Sequence, residues 1–135
     1  SFLQQCLWTP RCQLVYQYSN STLINAKLKK MKYGLPSTIN GVRLTGPKMS
    51  IKQMLSYKAL IFLEGNDVSS GLKWGLYSKS VVLMPRPIFT SWAMEELLEP
   101  WVHYVPIKED LSDVEEKIQW VLNNGKKASK ISKRA

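Results

Sequence analysis

Acidic residues are missing from the first part of this chain. Glu64 is the first Asp or Glu, while Lys and Arg occur eight times through Lys52. The whole sequence carries 19 Lys and Arg against 10 Asp and Glu, a formal net charge of +9. A basic half suits an anionic partner, whether nucleic acid, membrane surface or nucleotide, and it equally suits a solvated face docked on an acidic neighbour. Histidine is almost absent, with His103 alone, and there are two cysteines, Cys6 and Cys12. They lack CxxC spacing and have no nearby His or Cys partners, which argues against zinc, and the sequence leaves their pairing open. No D-x-D cluster of carboxylates occurs. No apolar run approaches the ~18 residues of a membrane span. The first residues lack the charged start and long apolar centre of a signal peptide. Neither GxGxxG nor GxxxxGK[ST] is present, so neither common phosphate fingerprint applies.

What is present fits a folded domain. A chain of 135 residues with 44% hydrophobic content is expected to form one compact domain with a real core. It opens on Ser1 inside a helical pattern and stops at Ala135 inside another, so it reads as an internal piece of a longer protein.

The organising stretch is 58–84. Residues 59–63 (ALIFL) are a short apolar run of buried-strand length. Glu64-Gly65-Asn66-Asp67 breaks the run with turn formers, and Ser69 or Ser70 can cap a helix running to about Ser78. Residues 81–84 (VVLM) are a second apolar run. Strand, loop, helix and strand in that order make the unit of a parallel sheet. Such a unit sets a loop and a helix N-terminus at the strand's carboxyl end, where unpaired N–H groups carry about half a positive charge and phosphates settle. Lys73, in the helix's first turn, can add a full charge. The plainer alternative is that this strand–helix loop, like most, binds nothing.

Elsewhere, 3–18 is apolar and aromatic and is divided by Pro10; Leu14, Val15 and Tyr18 suit a helix face, with a strand as the alternative. Asn20-Ser21-Thr22 is a turn and also a glycosylation sequon, relevant only if the chain enters the secretory pathway. Residues 23–28 suit a short strand, 29–40 a polar loop, and 41–46 a brief strand ended by Pro47. Ser50 and Gln53 form a capping box for a helix over 50–56 that buries Ile51, Met54 and Leu55. The helix in the organising stretch turns Leu72 and Leu76 inward, with Trp74 or Tyr77 as further candidates.

Pro85-Arg86-Pro87 stiffens the exit from the second apolar run. Thr90 and Ser91 can cap a helix holding Glu95 and Glu96, on the same side of the sheet. A carboxylate there can accept hydrogen bonds from both ribose hydroxyls of a nucleotide, or simply lie on the surface. Residues 101–107 read as a strand, with His103 structural rather than catalytic. Ser112 and Glu115 make a second capping box, Val114, Ile118, Val121 and Leu122 mark a helix face, and Gly125 suits a C-cap. The tail 126–134 carries five cations and is helical or frayed. The alternation of strands and helices gives an α/β, Rossmann-like, doubly wound three-layer domain.

Two runs, EGNDVSSGLKWGLYSKSVVLMP and SWAMEELLEPWVHYVPIKEDLSDVEEKIQWVLNN, resemble glycosyltransferase family 90, which includes protein O-glucosyltransferases and capsular xylosyltransferases. The likeness runs from about Arg11 to the tail, and PWVHYVPIKEDLSDVEEKI is its most specific part. It implies a GT-B enzyme, two Rossmann-like domains facing across a cleft, with residues 1–135 as the single C-terminal domain that binds a nucleotide-sugar donor. Asn66, Asp67, Val68, Ser69, Ser70 and Gly71 would then line the diphosphate. Gly71 stands where the animal enzymes carry a phosphate-binding arginine, which leaves Lys73 as the nearest substitute. Arg11 matches a donor-reaching arginine, and Glu95 or Glu96 is matched to a ribose contact. The family's W-R-G-S segment and its acidic base lie in an upstream part, so no catalytic base is assigned.

The implied reaction moves glucose or xylose from a UDP-sugar to a hydroxyl of a protein or glycan. No metal or other cofactor is expected, because protein cations neutralise the leaving diphosphate. The expected partners are the donor, the acceptor and the missing N-terminal domain, with no nucleic acid, and the resemblance leans to the secretory pathway. Two rival readings are a small basic nucleic-acid-binding protein and a non-catalytic α/β scaffold.

Overall fold

The computed structural model describes residues 1–31, 34–63, 72–87 and 97–135, and for residues 72–74 the backbone alone. The chain forms two compact units, Ser1–Met49 and Ser50–Ala135.

The first unit opens with α1 (Phe2–Leu7) and α2 (Pro10–Gln17). Pro10 at the first helical position of α2 needs no N–H partner, and Thr9 before it is extended at φ −104° and ψ 128°, as a residue preceding proline prefers. The helical alternative therefore holds for the apolar start. Cys6 and Cys12 form a disulfide with their Cα atoms 5.2 Å apart. Together with Val15, Ile39 and Leu44 they make the core of the unit. A bridge closing so short a loop contributes about 2 kcal/mol in chain-entropy terms, a useful supplement to a small core.

The strand expected at 23–28 does not form; Leu28 makes only an isolated bridge to Thr45. The sheet of this unit is a hairpin of β1 (Thr38–Ile39) and β2 (Val42–Arg43), antiparallel with Ile39 opposite Val42. Its first strand falls in the segment read as loop. Asn40 and Gly41 turn the hairpin at φ 51° and 77°, the left-handed pair that a two-residue turn requires and that Asn-Gly supplies at least cost.

The second unit begins with α3 (Ile51–Met54), capped by the Ser50–Gln53 box as its spacing predicts. The expected burial fails: Ile51 and Leu55 are exposed and Met54 is half-buried. Ile51, Met54 and Leu55 share one face at i, i+3 and i+4, but that face stays largely open among the described residues.

Three parallel strands follow, β3 (Ala59–Ile61), β4 (Val81–Met84) and β5 (Val105–Pro106), with β4 central. Ala59 pairs with Val81 and Leu83 with Val105. All four residues of β4 are buried, as an uninterrupted apolar run predicts for a central parallel strand. Alternate residues face opposite sides. Val82 and Met84 pack with Tyr104, Phe62, Leu98 and Leu76 of α4 (Leu72–Tyr77). On the other side, Val81 lines a groove with Val121 of α5 (Val114–Asn123) and Ala128 of α6 (Gly125–Arg134). The result is a mixed α/β unit with a parallel sheet, compatible with a Rossmann-like fold.

Several local expectations need correction. Tyr77 points outward and is 90% exposed. The strand over 101–107 shrinks to β5, because residues 101–103 form a turn. Trp101 adopts φ 65° and donates its N–H to the Tyr104 carbonyl at 2.7 Å. His103 Nδ1 accepts the Glu99 N–H at 2.9 Å, so the one histidine holds this turn. The N-cap of α5 is Asp113, not Ser112, and its carboxylate serves other partners than the helix. Leu122 is exposed, and Gly125 starts α6 instead of ending α5, the break falling at Asn124.

Candidate functional site

Because β3, β4 and β5 run parallel, the three connections that follow them leave from one edge of the sheet. The pairing reaches that edge: Phe62 N–H donates to Leu83 O at 3.0 Å, and Ile107 N–H to Met84 O at 3.1 Å. Leu63, two residues past β3, is still buried, so its side chain anchors the start of the connection to α4 in the core. The stretch 64–71 that makes this connection, and 88–96 after β4, lie outside the described residues.

At the same edge the described residues supply cations and two carboxylates already committed to partners. Arg86 follows β4 by two positions and is exposed, and its charge is felt at the Tyr104 phenol. Burial raises that phenol's pKa, with Arg86 opposing, so Tyr104 stays protonated. Its hydroxyl is buried and finds no hydrogen-bond partner among the described residues. After β5, Asp113 Oδ1 accepts the Lys108 N–H at 2.9 Å and Oδ2 meets Lys117 Nζ at 2.8 Å. Burial pushes the Asp113 carboxyl up, but the bonds from Lys117 and the Lys108 N–H outweigh it and leave the group below its ordinary value. Asp110 is also lowered, chiefly by the backbone N–H of Ser112. Carboxylates held low in this way are poor general bases. The edge therefore offers charge neutralisation by Arg86 and Lys108, with Asp110 and Asp113 tied to structure and Glu109 exposed beside them.

A cavity of about 250 Å³ lies among Lys58, Lys79, Val81, Val121, Ala128 and Ser129. Lys58 and Lys79 precede β3 and β4, which puts this cavity at the opposite, amino edge of the sheet. Among the described residues, no group of three His, Cys, Asp or Glu side chains could hold a metal, and no helix is long and apolar enough to cross a membrane.

Of the residues singled out in the sequence, Asn66, Asp67, Val68, Ser69, Ser70, Gly71 and Glu95 lie outside the described residues. Lys73 occupies the second position of α4, with its side chain outside the description. Arg11 is exposed in the first turn of α2, in the first unit. Arg86 lies between two prolines whose stiffness dominates the local sequence pattern. The signal that finds it is simple: a cation two residues past the end of a parallel strand faces the loop edge.

A family model, Glycosyl transferase family 90, matches residues 9–135. The chain is 42% identical over 87 residues to the O-glucosyltransferase LpsA of Dichelobacter nodosus, covering 64% of this chain and 27% of that protein. It is 37% identical over 84 residues to protein O-glucosyltransferase 2 of Danio rerio, covering 62% of this chain and 17% of that protein. To protein O-glucosyltransferase 3 of Homo sapiens it is 35% identical over 86 residues, covering 63% and 17% respectively. The aligned stretches thus span about a quarter or less of these relatives' lengths. With nearly the whole sequence matched, this chain belongs to glycosyltransferase family 90.

Proposed function

We propose that residues 1–135 are the C-terminal, donor-binding half of a two-domain GT-B glycosyltransferase. It transfers glucose or xylose from a UDP-sugar to a hydroxyl of a protein or glycan. The observation that carries this reading is the parallel β3–β4 pair, whose connection 64–71 leaves the carboxyl edge of the sheet within a family-90 chain. In this reading the backbone N–H groups from Asn66 to Gly71 cradle the diphosphate. Lys73 and Arg11 balance its charge, and Arg86 is added as a third cation. Glu95 holds the ribose hydroxyls.

As the bond from the sugar's anomeric carbon to the diphosphate breaks, negative charge grows on UDP. Fixed donors and cations stabilise that charge more than they stabilise the ground state, and so lower the barrier. Proton removal from the acceptor falls to the upstream half, consistent with the committed state of Asp110 and Asp113. In this reading protein cations take the place of a metal. The secretory lumen is the proposed compartment, supported by the Cys6–Cys12 disulfide, a bond that persists in oxidising surroundings.

Calorimetry of UDP on the full-length protein tests the site. Ser69→Asp sets a negative charge at the proposed phosphate cradle and should weaken UDP at least tenfold, about 1.4 kcal/mol. Lys73→Ala should weaken it in the same direction. Unchanged affinity in both variants removes the 64–71 connection from the site.

A further inference from the structure

One motif in the sequence has no part in donor binding. Asn20-Ser21-Thr22 is the only N-x-[ST] triplet in the chain; Asn25, Asn40, Asn66, Asn123 and Asn124 all lack a hydroxyl two residues on. Asn20 ends the turn that follows α2, and its side chain is exposed. Its amide makes no hydrogen bond to any described residue, and neither does the hydroxyl of Thr22, which is also exposed. Ser21, between them, is tied down. Its N–H donates to Tyr18 O at 3.0 Å, and its Oγ accepts the Leu23 N–H at 3.1 Å. The two groups a modifying enzyme must grip are thus free, while the middle residue holds their spacing. Residues 21–27 contain no helix or strand, so the segment can bend into an enzyme's site without unmaking regular structure.

We propose that Asn20 is an acceptor for N-linked glycosylation. The donor class is an oligosaccharide joined through its anomeric carbon to a lipid diphosphate, supplied with its transferase by the secretory compartment. A new bond forms between Asn20 Nδ2 and that anomeric carbon. The carbon–oxygen bond to the diphosphate breaks, the lipid diphosphate leaves with the electron pair, and one amide proton is lost to the transferase. This inference rests on the secretory reading above. The glycan leaves the C-terminal end of α2, whereas Arg11 sits in its first turn, about 10 Å away along a helix of this length.

The test uses the full-length protein, directed into the secretory pathway of a cultured eukaryotic cell and recovered from the medium. The peptide containing Asn20 is mapped by mass spectrometry before and after peptide-N-glycosidase. The expected result is an Asn20 glycopeptide that the enzyme converts to the deamidated peptide. That glycopeptide should be lost in N20Q and in T22A and retained at lower occupancy in T22S, with UDP affinity unchanged in N20Q. An unmodified Asn20 peptide in the secreted protein overturns the proposal, whatever the state of the cysteines. Free thiols at Cys6 and Cys12 beside a glycosylated Asn20 would sustain the acceptor site while withdrawing the disulfide's support for the compartment.

Discussion

Asp113 shows how one carboxylate can organise a loop and a helix together. It receives the Lys108 N–H from the loop and pairs with Lys117 one turn into α5. The Lys117 ammonium also lies 5.7 Å from the centre of the Trp101 ring, and Trp101 meets Trp120 edge-on at 4.9 Å. The strained turn at Trp101 is thus held from outside by α5. Because the folded-state pKa of Asp113 is depressed below 3.8, its contribution to stability is fully present above that value. It is lost as pH falls through the lower, folded-state value. Asp113→Asn should therefore cost about 1–3 kcal/mol in urea unfolding at pH 7. The gap between variant and wild type should close as both are taken to strongly acidic pH. A gap independent of pH would mean that the side chain acts by packing and not by charge.

At the scale of elements, Gly75 decides how α4 meets the sheet. A Cβ at this position would come within 2.6 Å of Phe62 Cζ. Phe62 is half-buried at the end of β3 and packs with Leu76 against Val82, Met84 and Tyr104, so the ring has little room to retreat. Alanine would gain about 1 kcal/mol of helix propensity over glycine. Overpacking costs about 1–3 kcal/mol, and the backbone of α4 is the part free to shift. We expect Gly75→Ala to destabilise by about 1 kcal/mol net. It should also weaken UDP, because α4 begins where the 64–71 connection ends; calorimetric and thermal measurements on one preparation would test both. The βαβ core was legible because its signals agree: apolar runs at 59–63 and 81–84, turn formers between them, and a helix with its apolar face toward the sheet. The misreadings fell where one pattern serves two structures. Alternation at 23–28 looks like a strand but has no neighbour to pair with beyond the bridge at Leu28. Asn40-Gly41 is an explicit hairpin signal, but the flanking strands have only two residues each, too short for an alternating pattern to show. Ser112 has the cap spacing, yet the Lys108 N–H draws Asp113 into place and sets the start of α5 one residue later. Of the candidate site, the strand edge and the position of α4 followed from pattern. The contacts of individual donor residues depend on side-chain direction in a connecting loop, which no periodicity specifies.

For the whole molecule, the charge is divided unequally between the two units. Residues 1–49 hold seven of the basic residues and no acid, so they account for +7 of the net +9. A polyanion would be drawn to that first unit by charge alone, whereas the proposed diphosphate cradle belongs to the nearly balanced second unit. These two kinds of attraction respond differently to salt. Binding of nucleic acid through several phosphates releases many counterions and loses about 10³-fold or more in affinity between about 50 and 200 mM salt. A nucleoside diphosphate carries few charges and meets fixed N–H donors, so its binding should change far less over that range. UDP at about 100 times its dissociation constant should stabilise the native protein by about 2.7 kcal/mol. A thermal scan of the full-length protein at low and physiological salt, with UDP or with duplex DNA, separates the cases. We expect UDP to raise the midpoint at both salt concentrations and DNA to do so only at the lower one. Stabilisation by DNA that survives physiological salt, with no response to UDP, would make the basic first unit the functional surface and end the donor-site reading.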